Sequence, residues 1–397
     1  MLKKDRPAIL GGTPVFSGVL PILRPSLPEL DDLLVALNNV ISTGQITNDR
    51  YVKEFEEKTT DFLEVKNCVA VSSCTSGLML AVKAMGLTGE VILPSFTFSA
   101  TGHSLLWNGI TPVFADCVKD TYNIDPKAVE KKITEKTSAI LAVHIFGNPA
   151  DADSLSKIAK KNNLKLVFDA AHAFGSCCNG IKVGGFGDVE VFSLSPTKLL
   201  ISGEGGLVTT ENDELAEKIR IGRNYGDPGD YNCEFAGLSA RMTEWNAILA
   251  IKMLEFLEEN IERRNYIANL FRHRLEKLPG ISLQHVKLED KTTWKDFSII
   301  INSKKFGVHR DILSLALEKE NIKTKKYFDP PIHKMKVYDE YFNNAETKLP
   351  VTEYISNNII SIPVYSRLSD NDVDNILSAI ERIQSFSSKI RMVLGKP

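Results

Sequence analysis

Between about residue 68 and residue 210 the chain alternates short apolar runs with amphipathic stretches, and few folds accept that rhythm. Cys68–Ser73, Val91–Ser95, Pro112–Cys117, Ala139–Phe146 and Lys165–Ala170 are strand-sized and rich in Val, Ile, Leu or Phe. Between them, Asp125–Thr134 and Asp151–Asn162 carry helical spacing with polar faces, and another helix is predicted to start near Ser76. Such alternation specifies an α/β sheet between helical layers, with ligands expected at the carboxyl ends of the strands. Val189–Leu194 and Gly206–Thr210 are joined by a loop rather than a full helix. The parallel rhythm is predicted to break there.

Thr243–Leu278 has few helix breakers and reads as one long, bendable helical region leaving the first domain. Beyond it come an apolar strand (Phe297–Ile301), a helix (Arg310–Asn321), a second strand (Ile359–Val364) and a last helix (Asp370–Phe386). The predicted divisions are an arm over residues 1–30, a large domain over 31–255 and a smaller α+β domain over 256–397. The proline-rich start, up to Pro28, suits an arm better than a core.

Several function classes are excluded. With 48 Lys and Arg against 50 Asp and Glu, the net charge is −2, which argues against a bulk nucleic-acid or anionic-membrane binder. No apolar run approaches the ~18 residues of a membrane span. Six scattered cysteines, including the adjacent Cys177-Cys178, read as reduced thiols of a cytoplasmic protein. No dinucleotide-binding glycine motif, P-loop or zincin motif occurs, and the seven histidines form no ligand-spaced pair, so no metal is expected.

The remaining chemistry sits at predicted strand ends. Phe168–Gly175 places Asp169 where a strand stops; it caps the next helix or meets a protonated ring nitrogen. His172, three residues on, is a core histidine or a contact to the same ligand. Lys198 lies just past another strand end, in a loop that continues into Ser202-Gly203-Glu204-Gly205-Gly206. It is a solvated lysine or a Schiff-base lysine, whose amine must be partly desolvated to be neutral and nucleophilic. Ser72–Gly77 ends the first strand and opens a helix, so Cys74 and Thr75 stand in a plain cap or at a phosphate-binding helix end. Pro94–Phe98 offers aromatic faces for the core or for stacking on a planar ring. Together these are the parts of a pyridoxal phosphate site: a lysine for the aldehyde, an aspartate for the pyridine nitrogen, hydroxyls and a helix end for the phosphate, an aromatic over the ring.

With those residues in that order, the chain resembles the DegT/StrS family of pyridoxal-phosphate-dependent nucleotide-sugar aminotransferases. Matching segments run from Gly11-Gly12-Thr13-Pro14 through Pro94–Thr101, Thr121–Pro126, His144–Gly147, Phe168–Gly175, Ser193–Gly206 and Arg241–Glu244 to Phe328–His333. The resemblance implies an aspartate-aminotransferase-like (fold type I) large domain with a mixed, mostly parallel sheet, and a smaller α+β domain. It implies Lys198 as the Schiff-base lysine, Asp169 as partner of the pyridine nitrogen, and His172 near the phenolic oxygen. Phe98 would stack on the ring, while Thr75 and Ser193 hold the phosphate. Family members commonly carry Asn two residues before the Arg-Met pair, reaching the neighbouring subunit's phosphate; here that residue is Ser239. Tyr327, His333 and Arg223 are candidate substrate contacts, and the Gly222–Asp230 loop, Lys325 and Lys326 flank the same region.

The resemblance also implies a homodimer with shared active sites and L-glutamate as amino donor. The opening Gly11–Pro14 segment and the Phe168–Gly175 wording most resemble enzymes aminating C4 of dTDP-4-keto-6-deoxyglucose. Amination at C3 of a dTDP-3-keto-6-deoxyhexose, amination of scyllo-inosose, and a non-catalytic pyridoxal-phosphate sensor are the alternatives.

Overall fold

The computed structural model of the chain describes residues 6–341 and 348–394. Its centre is a seven-stranded sheet made of β1 (Asn67–Val71), β2 (Glu90–Pro94), β3 (Thr111–Ala115), β4 (Thr137–Val143), β5 (Lys165–Asp169), β8 (Val189–Ser193) and β9 (Gly206–Thr210). A two-stranded hairpin, β6 (Cys177–Cys178) with β7 (Ile181–Lys182), hangs between β5 and β8. The spatial order is β1-β9-β8-β5-β4-β2-β3, and only β9 runs antiparallel to its neighbours. The break in rhythm expected between residues 194 and 206 is this reversal. Both thiols of Cys177 and Cys178 are free.

Helices cover both faces, which is why the strands read as near-continuous apolar runs. In chain order they are α1 (Asp31–Thr43), α2 (Arg50–Leu63), α3 (Cys74–Ala84), α4 (Ser99–Leu106), α5 (Pro126–Glu130), α6 (Ala152–Lys161), α7 (Asp213–Gly222), α8 (Glu244–Glu255) and α9 (Leu257–Leu275). Val69, Val71, Val91, Leu93, Val167 and Val191 point to one face, against Leu78 and Ala81 of α3, Leu105 of α4 and Ile219 of α7. The alternating residues Ala70, Phe192 and Leu207 pack with α2 and α8, while Ile92, Ile140 and Phe168 pack near α6. The long helical region divides at Phe256, where φ −97° and ψ 4° leave helical geometry, so α8 and α9 are separate helices.

After α9 the chain forms an antiparallel sheet in the order β10 (Ile281–Leu283), β11 (Phe297–Ile301), β12 (Ile359–Ile362). Around it lie α10 (Ser303–Phe306), α11 (Arg310–Lys319), α12 (Pro350–Asn358), α13 (Asp370–Ser385) and α14 (Ser387–Leu394). Its core joins Phe271 of α9, Phe297, Ile299 and Ile301 of β11, and Ile376, Ile380 and Ile383 of α13.

The start of the chain packs here rather than on the large sheet. Ile9, Leu10, Val15 and Phe16 lie against this core, and Leu20 pairs with Ile322. The fully buried Glu320 fixes that strap: it accepts from the N–H groups of Ala8 (2.8 Å) and Val15 (3.0 Å) and pairs with Arg382 (2.6 Å). No helix among the described residues is long and apolar enough to cross a membrane.

Candidate active site

The carboxyl ends of β1, β2, β4, β5 and β8 open on one cavity of about 390 Å³, within the range of small-molecule sites. Thr75, Cys74, Phe98, Asp169, His172, Ser193, Lys198 and Tyr327 all line it. They come from stretches spread over some 250 positions of chain, so the sheet is what assembles them.

Asp169 is the last residue of β5 and is buried. Its Oδ2 accepts from Thr101 Oγ1 (2.7 Å), which in turn touches Thr97 Oγ1 (2.8 Å), and its Oδ1 accepts from the Ala171 N–H (3.1 Å). Burial raises its pKa, and these bonds work against the rise. The charge of Lys198 in the same cavity offsets the burial of Asp169 only in part, and a protonated pyridine nitrogen entering the cavity would supply a further counter-charge.

Lys198 sits in the turns after β8, its backbone N–H bonded to Ser195 O (3.0 Å). Burial, followed by the charge of Lys295, drops its pKa from 10.5 to about 8. A substantial neutral fraction near physiological pH is what a Schiff-base lysine requires.

His172 is held as a neutral ring. Its Nδ1 accepts from the Phe146 N–H (3.2 Å), and its plane stacks on Phe328 at 6.3 Å. Burial, then the charges of Lys198 and Lys295, push its pKa well below 6.5. With Nδ1 accepting, the proton is assigned to Nε2, which can donate to an oxygen in the cavity.

Helix α3 supplies the anion end. Ser73 caps it by accepting from the Ser76 N–H (3.1 Å), and Ser76 Oγ accepts from the Ser73 N–H (3.1 Å). The N–H groups of Cys74 and Thr75, in the first turn, then remain to meet a phosphate. Gly206 makes this possible: a Cβ there would stand 2.6 Å from the Cys74 nitrogen, so the loop after Lys198 could not lie against the helix end. Ser193 ends β8 on the same side, and Cys74 Sγ lies 3.9 Å from Asp169 Oδ1. The residues present therefore fit pyridoxal phosphate at each of its polar groups.

Three sequence candidates lie outside the cavity. Arg223 is buried, bonded to Glu56 (2.5 Å) and to Ala70 O (2.6 Å), and so ties α7 to α2 and β1. His333 is buried behind the wall, its Nδ1 at 2.5 Å from Ser95 Oγ. Ser239 is exposed and pairs through its backbone with Asn224. Lys326 bonds Asp311 (2.5 Å), while Lys325 and Tyr327 line a neighbouring groove that shares Phe98 and Phe328 with the cavity.

The structure adds Lys295, Asp296, Glu204, Thr197 and Phe328 to the lining, and Thr101 behind Asp169. Lys295 and Asp296 precede a fully buried strand, which is the one sequence signal that could have drawn attention to them.

A mostly parallel sheet whose strand ends gather a half-buried lysine, a buried carboxylate and a helix N-terminus defines a pyridoxal-phosphate-dependent enzyme of the aspartate-aminotransferase fold. The chain belongs to the DegT/DnrJ/EryC1/StrS aminotransferase family, whose model matches residues 30–381. It is 34% identical over 359 residues to the dTDP-4-amino-4,6-dideoxy-D-glucose transaminase of Escherichia coli, covering 90% of this chain and 96% of that one. It is 35% identical over 351 residues to the dTDP-3-amino-3,6-dideoxy-alpha-D-galactopyranose transaminase of Aneurinibacillus thermoaerophilus, covering 87% and 94%. Its fold matches the crystal structure of DesI determined in the presence of its TDP-sugar product, with a TM-score of 0.91, 33% identity and 99% of each chain covered. The protein is thus a pyridoxal-phosphate-dependent sugar aminotransferase of nucleotide-sugar metabolism.

Proposed function

We propose that the enzyme moves the amino group of L-glutamate to C4 of dTDP-4-keto-6-deoxyglucose, giving dTDP-4-amino-4,6-dideoxyglucose, and that it works in the cytoplasm. The cofactor chemistry rests on Lys198 and Asp169 lining one cavity with the N-terminus of α3, and the C4 position on the 34% identity to a dTDP-4-amino-4,6-dideoxy-D-glucose transaminase. When bound there, pyridoxal phosphate supplies an electron sink for the carbon that loses its proton. Asp169 holds the proton on the pyridine nitrogen and keeps that sink electron-poor. Thr75, Ser193 and the first N–H groups of α3 bind the phosphate, while Phe98 and the His172 Nε2–H orient the ring and its phenolic oxygen. Lys198 would hold the cofactor's aldehyde and, as a neutral amine facing the cavity, would take up and return the proton of the donor's Cα and, in the opposite direction, that of the sugar carbon.

Amination at C3 is the second reading, favoured by the 35% identity to a C3 transaminase. Incubation with L-glutamate and a panel of 3-keto and 4-keto nucleotide sugars plus scyllo-inosose, with the new amine located by NMR, separates these readings. A C4 amine on the dTDP sugar is expected; a C3 amine, or activity only on the cyclitol, overturns it.

The same reading includes a homodimer with active sites at the interface. Phe98 at the cavity is 60% exposed, and Leu30, Leu34, Val35 and Ile41 along α1 are also exposed. A second copy of the chain would remove this apolar surface from water. Sedimentation of a fully active monomer at assay concentration would contradict the dimer.

A further inference from the structure

Resting on the aminotransferase reading, we propose that the Lys295–Asp296 pair is the specificity-determining element that reads a sugar hydroxyl on the carbon next to the one being aminated.

Both residues line the cavity, and both are nearly buried. Lys295 Nζ bonds the two carboxylate oxygens of Asp296 at 3.0 and 2.9 Å and sits 5.1 Å from the centre of the Tyr327 ring. Among the described residues, each charged end has only the other as hydrogen-bond partner. An ammonium has three protons to give and a carboxylate about four lone-pair sites, so the pair keeps donors and acceptors unspent on the cavity side. A buried ion pair costs several kcal/mol per ion in lost hydration unless further hydrogen bonds satisfy it. Beyond the pull of Asp296 on the charge of the buried Arg264, no hydrogen bond among the described residues closes the pair on the fold.

The backbone around the pair is held in a conformation that side chains rarely adopt. Trp294 has φ 45°, in the left-handed region, a cost that persists only where the surroundings enforce it. The enforcing bonds are visible. Thr293 Oγ1 donates to His172 O (2.8 Å), the Lys295 N–H donates to Phe146 O (3.0 Å), and Trp294 Nε1 donates to Asn265 Oδ1 (3.2 Å). Gly147 is required for this approach, since a Cβ there would lie 2.3 Å from Thr293 Oγ1. These contacts fasten residues 293–295 to the turns that follow β4 and β5 and to α9, aiming the pair at the reacting centre.

Charge decides what the pair can read. A neutral pair exerts little net pull on the carboxylates of the donor or on a diphosphate. A hydroxyl both donates and accepts, and it matches an ammonium beside a carboxylate. Lys295 and Asp296 line the same cavity as Lys198 and His172, which puts the pair within reach of the sugar around the carbonyl being aminated. The sugar group that matches the pair at that place is a hydroxyl on the neighbouring carbon.

The test compares kcat/KM for dTDP-4-keto-6-deoxyglucose with that for its 3-deoxy analogue, in the wild-type enzyme and in D296N. A site built to bond a hydroxyl rejects the analogue lacking it, here by about a hundredfold or more. In D296N this preference should fall below tenfold, and D296E should restore part of it. The pyridoxal-to-pyridoxamine conversion with L-glutamate alone is measured beside each assay. Absence of that conversion in the wild-type enzyme overturns the aminotransferase reading itself. If it proceeds in the wild type and the hydroxyl preference is missing there, or unchanged in D296N, the assignment of the pair is overturned. Should D296N fail to convert with L-glutamate, K295Q carries the same comparison.

Discussion

Buried charge serves two purposes in this molecule, and the core around the three-stranded sheet and the cavity at the strand ends of the large sheet show one each. Around the three-stranded sheet, buried charges are closed on the fold. Glu320 is consumed by Ala8, Val15 and Arg382, and Arg310 by Asp329 and the carbonyls of Ser356 and Ile359. At the carboxyl ends of the seven-stranded sheet, the buried Asp169 and Lys295 and the half-buried Lys198 face open volume. The lesson concerns direction rather than burial. A charge whose partners are all protein is a clamp, whereas one aimed into a cavity is waiting for a ligand.

Substitutions on either side should separate the two roles. The largest effect is expected from Lys198→Ala, which removes the residue proposed as both cofactor anchor and proton carrier. Transamination should fall by ~10⁴-fold or more, with loss of the cofactor's bound absorbance; normal turnover would refute the role. Asp169→Asn should keep the cofactor and lose about 10²–10³-fold in turnover, as expected when a preorganised electrostatic partner is removed. An unimpaired rate would contradict it.

On the other side, Glu320→Ala deprives Arg382 and two backbone N–H groups of their acceptor. It should cost ~3–5 kcal/mol of stability, seen as a lowered unfolding temperature, with kcat of the folded fraction unchanged. A lowered kcat without lost stability would erase the contrast between the sheets.

The smallest effect expected is a pH dependence. Because burial and Lys295 bring the Lys198 pKa down to about 8, the neutral amine grows tenfold per pH unit below that value and saturates above it. Uptake of pyridoxal phosphate by the apoprotein should therefore rise with pH and level off near 8, as followed by absorbance. Removing the positive neighbour in Lys295→Met should raise the midpoint. A rise continuing to pH 10 in the wild type would show that the lysine is not desolvated.

The strand-end residues were legible because each stands where an apolar run stops, and a parallel sheet delivers such stops to one edge. Asp169, Lys198, Thr75 and Ser193 meet for that reason. Arg223 was open to a substrate role because its sequence neighbours say nothing of Glu56, 167 positions earlier, which holds it. Lys295 and Asp296 read as an ordinary loop before β11, since the left-handed turn at Trp294 and its long-range tethers leave no local pattern. The arm over residues 1–30 carries no local sign of what it packs against; only Glu320, distant in sequence, ties Ala8 and Val15 to the C-terminal core. Local periodicity carries elements and strand ends. Partners hundreds of residues apart lie beyond it.

The central claim, that the cavity at the strand ends of the large sheet performs amino transfer through Lys198, is tested most directly by a spectrum. Wild-type protein loaded with pyridoxal phosphate is mixed with L-glutamate, beside Lys198→Ala protein treated in the same way. Conversion to the pyridoxamine form in the wild type and none in the variant is the predicted result; no conversion in the wild type, or equal conversion in both, would contradict it.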